Sequence, residues 1–191
     1  MKYKNDVSFL VDKTLSLYEH QSSYNPNMLL RGFLYYADLY RKGYRGVIFD
    51  IDNTLVPHGA PATKEAAAFF ASLRETGFST CLLSNNQKPR VAPFADAVGS
   101  IYIENAHKPS VKNYQEACRR MGIKEEQAVF VGDQLFTDVY GAKRTGLYNI
   151  LTEPINPKEE IQIVLKRYLE HIVLFFYERD LARGRITKKN S

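Results

Sequence analysis

From residue 46 onward, short apolar runs that favour β-strands alternate with windows that favour helices, and this alternation limits the fold more than any other feature of the sequence. The predicted strands are 46–49, 79–83, 101–103, 128–131 and 147–151. The predicted helices between them are 64–76, 89–98, 110–122 and 137–145. Strands and helices that alternate with short loops are typical of a parallel sheet covered by helices on both faces. The sequence therefore predicts an α/β fold.

Length, composition and cysteine count exclude several classes of protein. The chain has 191 residues, of which 45% are hydrophobic and 25% charged, as in an ordinary globular domain with one sizeable core. Its longest apolar run near the C-terminus, Ile172–Tyr177, is far shorter than the roughly 20 residues of a membrane-spanning helix. The first 20 residues contain acidic residues among their apolar positions, so they do not have the pattern of a signal peptide. Two cysteines, Cys81 and Cys118, do not make a disulfide framework, so we expect a cytoplasmic protein.

The net charge of +5 is concentrated at the two ends of the chain. Residues 1–45 contain seven Lys and Arg against four Asp and Glu, and residues 178–191 contain five against two. Such ends are commonly just solvated. The alternative is attraction to an anionic partner, such as a membrane surface or nucleic acid.

Polar residues follow four of the predicted strands. Asp50 and Asp52 come directly after the first strand, on an extended chain end where residues two apart point the same way. Two neighbouring carboxylates are costly unless a cation or a shared proton compensates them. Taken alone, each cluster also has an ordinary interpretation as a solvated turn, a helix cap or a surface charge. The four clusters are Asp50–Thr54, Ser84–Asn86, Lys108-Pro109 and Gly132–Asp138.

Because the carboxyl ends of parallel strands share one edge of a sheet, the four clusters are expected to meet there. Their ordered set resembles the haloacid dehalogenase (HAD) superfamily of phosphatases, which form an aspartyl phosphate. The resemblance covers roughly residues 44–152. The matching positions are residues 50–54 for its first motif, Ser84 for its second, Lys108 for its third, and Gly132-Asp133 with Asp138 for its fourth.

The resemblance implies a HAD-like Rossmannoid fold, a three-layer α/β/α sandwich in which the strand before Asp50 is central. Residues 53–59 would form the superfamily's squiggle and flap. Only 32 residues separate Asp52 from Ser84, and 24 separate Ser84 from Lys108. Neither interval has room for a cap domain beyond its own helix and strand, so we expect an uncapped (C0-type) protein with an open active site.

Two departures from the common superfamily pattern narrow the resemblance to one branch. Asn53 stands where Gly is common after Asp-x-Asp, and Gln134 follows Asp133 where many relatives have a second Asp. These positions are similar to subfamily IIIA, and in particular to its YqeG-type members. That branch is similar in turn to mitochondrial phosphatidylglycerophosphate phosphatases.

The resemblance also implies a mechanism and the residues that carry it. Asp50 would be the nucleophile, while Asp52 would protonate the leaving oxygen and then deprotonate the attacking water. Mg²⁺ would be the cofactor, because hard oxygen ligands and a phosphate suit it. Its ligands would be Asp50, the backbone carbonyl of Asp52, and Asp133. The phosphate-binding residues would be Ser84, Asn85 and Lys108, with Asp138 and Thr54 in supporting positions.

These features predict a Mg²⁺-dependent phosphatase acting on a phosphate monoester, with phosphatidylglycerophosphate, an intermediate of phospholipid biosynthesis, as the favoured substrate. One alternative is a phosphatase for a soluble, protein or nucleic-acid phosphate. Another is a non-catalytic binding module on the same fold, which the complete set of Asp50, Asp52, Lys108 and Asp133 argues against. We expect no nucleic-acid partner.

The sequence predicts three segments: a helical N-terminal extension over 1–43 that packs on the core, a phosphatase core over 44–152, and an amphipathic helix with a basic tail over 153–191. The last segment has two open interpretations. It packs against the core or a second subunit, or it lies on the inner face of an anionic membrane as a peripheral contact. Its apolar stripe consists of Ile161, Leu165, Tyr168, Ile172 and Phe175.

Overall fold

The computed structural model describes residues 8–11, 14–17 and 38–156, together with Phe175 and Arg179. Residues 38–41 are helical and precede the first buried strand of the sheet. The strands are β1 (Ser8–Val11), β2 (Thr14–Leu17), β3 (Gly46–Phe49), β4 (Ser79–Leu83), β5 (Ile101–Ile103), β6 (Ala128–Gly132) and β7 (Tyr148–Leu151). The α-helices after β3 are α1 (Lys64–Glu75), α2 (Lys88–Val98), α3 (Val111–Met121) and α4 (Tyr140–Thr145).

The strands form one sheet in the order β1-β2-β7-β6-β3-β4-β5. All neighbours from β2 to β5 are parallel, and β1 is antiparallel to β2. Phe49 at the end of β3 is in register with Leu82 of β4 and Val131 of β6. The polar residues that follow these three strands therefore emerge at one edge. The predicted parallel sheet is confirmed. The strand before Asp50, β3, is central among the five strands β7-β6-β3-β4-β5.

The core lies on both faces of this sheet, because successive side chains of a strand point to opposite faces. Val47 and Phe49 belong to a cluster beneath α1 and α2, while Ile48 between them belongs to a cluster beneath α3 and α4. The first cluster includes Phe70, Leu73, Leu82, Val91 and Phe94. The second includes Leu83, Tyr114, Cys118, Phe130 and Leu147. This confirms the three-layer α/β/α prediction.

Local signals for the helix ends agree with the structure at most positions. The Thr63 hydroxyl accepts a hydrogen bond from the Ala66 N–H at 3.1 Å and so caps α1. Gly122 and Gly146 end α3 and α4 in the left-handed conformation. Ser110 precedes α3, but its side chain makes no capping hydrogen bond.

The helix predicted over 137–145 has a different form. A π-helical turn over Leu135–Val139 precedes the short helix α4. In this wider turn the Asp138 carboxylate accepts a hydrogen bond from the Gln134 N–H at 3.0 Å, so the side chain faces back to the end of β6.

The helix predicted through the N-terminal segment is wrong at residues 8–11 and 14–17, which form β1 and β2. The sequence Thr-Leu-Ser-Leu of β2 alternates polar and apolar residues with the period of a strand, and β2 pairs with β7 at the edge of the parallel sheet. The remaining predicted extension, 1–7 and 18–37, lies outside the described residues.

Nothing like a cap domain interrupts the stretch 38–156, which is described without a gap. Between Asp52 and Ser84 the chain forms α1 and β4, and between Ser84 and Lys108 it forms α2 and β5. Most of the segment predicted as an amphipathic helix with a basic tail, 153–191, lies outside the described residues. Phe175 and Arg179 are helical, and Phe175 is exposed. Among the described helices, none has the length and apolar character needed to cross a membrane.

Candidate active site

At the carboxyl edge of the sheet, Lys108 lies between two aspartates. Its Nζ is 2.7 Å from Oδ1 of Asp50 and 2.7 Å from Oδ1 of Asp138. All three side chains are buried. Oxygen atoms of Asp50, Asp133 and Asp138 lie within 4.8 Å of one another. We call these four residues the inner cluster.

Neighbouring elements fix the inner cluster. Gly132 ends β6 beneath Asp138, and a Cβ at this position would overlap the Asp138 carboxylate, so the motif requires glycine there. The Thr54 hydroxyl donates to Oδ1 of Asp133 at 3.1 Å. The buried Tyr114 hydroxyl donates to the Thr137 carbonyl at 2.8 Å and holds the turn that carries Asp138.

Charge is unbalanced in the inner cluster, because three carboxylates face one ammonium group. Burial raises the pKa of Asp50 to about 7; Lys108 opposes this rise, and Asp138 and Asp133 add to it. Burial alone would lower the pKa of Lys108, but the carboxylates of Asp138 and Asp50 outweigh it and raise that pKa above its usual value. Buried, converging carboxylate oxygens in excess of cationic groups fit a hard divalent cation such as Mg²⁺.

Asp52 lies in a second polar group, which we call the outer cluster. Its Oδ1 accepts hydrogen bonds from the Gly59 N–H at 2.7 Å and from Nη2 of Arg90 at 2.9 Å. Its Oδ2 accepts from Nδ2 of Asn86 at 2.6 Å. Nδ1 of His58, a half-exposed side chain, is 4.0 Å from Oδ1. The outer cluster is Asp52, Gly59, Asn86 and Arg90.

The second motif contacts the third through the side chain of Asn85. The buried Ser84 hydroxyl accepts a hydrogen bond from the Asn86 N–H at 3.1 Å. The Asn85 carboxamide oxygen accepts from the Lys108 N–H at 2.7 Å, so this side chain holds the loop that carries Lys108. Phosphate binding by Ser84 and Asn85 stays a prediction.

The structure brings all the predicted site residues to the same edge of the sheet. They lie in the inner cluster, in the outer cluster or, for Thr54, Ser84 and Asn85, directly beside these clusters. Sequence reasoning placed Asn86, which binds Asp52, in a polar cluster but gave it no role of its own. It missed Arg90, which also binds Asp52, and Tyr114, which supports Asp138. A signal for Arg90 was available. Lys88 and Arg90 occupy the first turn of α2, where the helix dipole disfavours cations, and that turn contains no acidic residue.

Comparisons with known proteins agree with this geometry. The family model of haloacid dehalogenase-like hydrolases matches residues 59–146. The chain is 35% identical over 142 residues to the probable phosphatase YqeG of Bacillus subtilis, covering 74% of this chain and 83% of that protein. It is 29% identical over 156 residues to phosphatidylglycerophosphate phosphatase 1 of Arabidopsis thaliana, covering 76% of this chain but only 44% of that protein.

Among solved structures, D,D-heptose 1,7-bisphosphate phosphatase from B. bronchiseptica superposes with a TM-score of 0.47 at 17% identity, over 56% of this chain and 79% of that one. The sequence match to the Bacillus protein, with the family model, decides the classification. The chain belongs to the haloacid dehalogenase-like hydrolase family. The predictions of this family, of its Rossmannoid fold and of an enzyme of the phosphatase class are confirmed.

Proposed function

We propose that the chain is a Mg²⁺-dependent phosphatase that hydrolyses a phosphate monoester through an aspartyl phosphate on Asp50. The observation that carries this proposal is the inner cluster: a buried carboxylate beside a buried ammonium group and two further carboxylates. Phosphate monoesters are extremely unreactive, so their hydrolysis needs a positioned nucleophile and strong charge stabilisation together.

The chemistry divides into two displacements. An Asp50 carboxylate oxygen attacks phosphorus, the bond to the leaving oxygen breaks, and Asp52 gives that oxygen its proton. Water then attacks the phosphorus of the aspartyl phosphate, Asp52 takes the proton of this water, and the bond to Asp50 breaks to release inorganic phosphate. Lys108 favours the ionised form of Asp50 against the effect of burial and, with Ser84 and Asn85, lies at the end of the sheet where the phosphoryl group would bind.

Mg²⁺ would be held by Asp50, the backbone carbonyl of Asp52, and Asp133. Its contribution, when bound, is to neutralise charge on the phosphoryl oxygens. Thr54 orients Asp133. Asp138 orients Lys108 and lies close enough to the other two carboxylates to support the same site.

For the substrate we propose phosphatidylglycerophosphate, met at the inner face of the cytoplasmic membrane. Two observations support this proposal: the similarity to the Arabidopsis enzyme, and the lack of a cap over the described active-site edge. An uncapped site leaves room for a substrate embedded in a surface.

The catalytic proposal is tested by steady-state turnover of p-nitrophenyl phosphate with Mg²⁺ or with EDTA. Wild type should turn over only with Mg²⁺, and Asp50→Asn should lose at least about 10⁴-fold in kcat because it removes only the nucleophile. Asp96→Asn, an exposed acid on α2, is the matched control and should behave as wild type. Wild-type turnover in EDTA would refute the metal requirement.

The substrate proposal is tested separately. Phosphate release from phosphatidylglycerophosphate in mixed micelles is compared with release from a panel of soluble monoesters. The lipid should show the highest kcat/KM. A soluble monoester that exceeds it would replace the lipid as the proposed substrate while leaving the catalytic proposal in place.

A further inference from the structure

A cleft of about 500 Å³ opens beside the outer cluster. This volume is in the range of small-molecule sites. Four of its lining residues carry carboxamides, one is a cation, and none is a carboxylate. Such a lining suits a polar ligand with negative charge. The lining residues are Asn85, Asn86, Gln87, Pro89, Arg90 and Asn105.

Arg90 is the cation of this cleft, and not all of its N–H groups are hydrogen-bonded. Its Nη2 donates to Asp52 at 2.9 Å, and its guanidinium lies 5.5 Å from the centre of the Phe94 ring. Its Nε is buried and has no hydrogen-bond acceptor among the residues that the structure describes. A buried donor without an acceptor is costly, so the protein keeps an arginine at this position at some cost in stability, as is common for residues with a binding role.

The cleft lies where the alcohol part of a substrate must extend. This step rests on the proposed function, in which Asp52 protonates the leaving oxygen. Asn86 and Arg90 both hydrogen-bond to Asp52 and both line the cleft. A leaving oxygen within reach of Asp52 therefore directs the rest of the alcohol along these two side chains.

We infer that Arg90 binds a second anionic group on the alcohol part of the substrate. Arg90 would therefore favour phosphate monoesters whose alcohol also carries a phosphodiester, a phosphate or a carboxylate. Hydrogen bonds between a guanidinium and such groups are short, strong and directional. A neutral alcohol offers the Arg90 guanidinium no negative charge to pair with, so Arg90 discriminates against it. The geometry makes Arg90 a specificity residue of this active site.

The position of Arg90 in α2 agrees with a role in binding. It lies in the first turn, where a cation opposes the helix dipole instead of being stabilised by it. The cation is kept there by Asp52 on one side and by the Phe94 ring on the other. Arg90 therefore stays at the cleft wall before any substrate arrives.

The test compares two soluble substrates, one of which carries an anionic glycerophosphodiester group that the other lacks. Glycerophosphoglycerol phosphate, the deacylated form of phosphatidylglycerophosphate, has an anionic alcohol, and glycerol 1-phosphate has a neutral one. In wild type, kcat/KM should be about 10- to 100-fold higher for the anionic substrate, mostly through KM. Arg90→Gln should bring this ratio close to 1, and Arg90→Lys should keep part of it.

Lys88→Gln is the matched control, because it removes an exposed positive charge from the same turn, two residues away. It should leave the substrate ratio unchanged. If Arg90 only held Asp52 in place, Arg90→Gln would lower kcat equally for both substrates, and that result overturns the inference. A wild-type ratio near 1 also overturns it, and needs no variant to fold.

Micellar phosphatidylglycerophosphate forms the third arm. A preference that appears with the micellar lipid and is absent with its deacylated form would mean that the surface, not the anionic group, is recognised, and it overturns the inference. Failure of the proposed function looks different: neither glycerol 1-phosphate nor p-nitrophenyl phosphate would be hydrolysed in the presence of Mg²⁺.

Discussion

Asp50 and Asp52 are two residues apart in the sequence, yet their surroundings differ in kind. Asp50 lies in the inner cluster, where three carboxylates share one buried ammonium group. Asp52 lies in the outer cluster, where an amide, a guanidinium and a backbone N–H all donate to it. The difference teaches how one short motif can serve two tasks. The inner cluster has an excess of negative charge that suits a cation, and in the proposed mechanism the outer cluster faces the leaving group.

The largest effect that separates the two clusters should come from Asp52→Asn. Loss of proton transfer costs typically about 10²–10⁴ in rate, and the cost should be greatest for glycerol 1-phosphate, whose alkoxide is a poor leaving group. p-Nitrophenyl phosphate should be affected far less in the first step. The measurement is single-turnover release of alcohol from both esters. Equal losses for the two esters would remove Asp52 as the proton donor.

Lys108→Met tests the inner cluster, and here the expected loss of rate does not depend on the leaving group. It removes a charge that stabilises the phosphoryl group, which should cost about 10²–10³ in kcat. Because that charge acts on the phosphoryl oxygens, both esters should lose the same factor. Lys112→Met, at an exposed lysine of α3, is the control for a lost lysine charge. A loss that depended on the leaving group would contradict the division into two clusters.

The smallest expected effect is a pH dependence of stability. Without metal, the pKa of Asp50 is raised to about 7 in the folded protein. The folded state therefore holds this proton more tightly than the unfolded state, so stability falls as the pH rises from about 4 to 7. Mg²⁺ needs the ionised carboxylate, so it should raise the Tm more at pH 8 than at pH 5, by at least roughly 4 °C.

Thermal melts with Mg²⁺ or EDTA across this range measure the difference. Asp50→Asn removes the titrating group and should abolish most of the pH dependence. A stabilisation by Mg²⁺ that is the same at pH 5 and pH 8 would place the cation away from Asp50.

The sequence was a good guide to the inner cluster and a poor one to the outer cluster. Asp50 and Asp133 follow buried strands and Lys108 follows the edge strand β5. Parallel strands bring their carboxyl ends together, so the meeting of these residues could be predicted. The residues that hydrogen-bond to Asp52 could not be predicted from strand order in this way. Asn86 looks like a helix cap and Arg90 like a solvated helix residue until the start of α2 is placed beside the loop after β3.

The N-terminal strands were missed for a different reason. β1 and β2 have four residues each, and β2 joins the sheet by pairing with β7, more than 100 residues later in the chain. Four residues are too few for a clear strand periodicity, and their sequence does not show which distant strand they pair with. The π-helical turn was missed because its form depends on the Asp138 side chain turning back to Gln134.

The central claim is that Asp50 carries the phosphoryl group, and one measurement tests it most directly. Wild type and Asp52→Asn are mixed with p-nitrophenyl phosphate and Mg²⁺, quenched rapidly in acid, digested, and mapped for phosphate by mass spectrometry. The phosphate should lie on Asp50, and it should accumulate in Asp52→Asn because the second displacement lacks its base. A phosphorylated residue other than Asp50, or a rapid burst of p-nitrophenol with no phosphorylated peptide, would contradict the account.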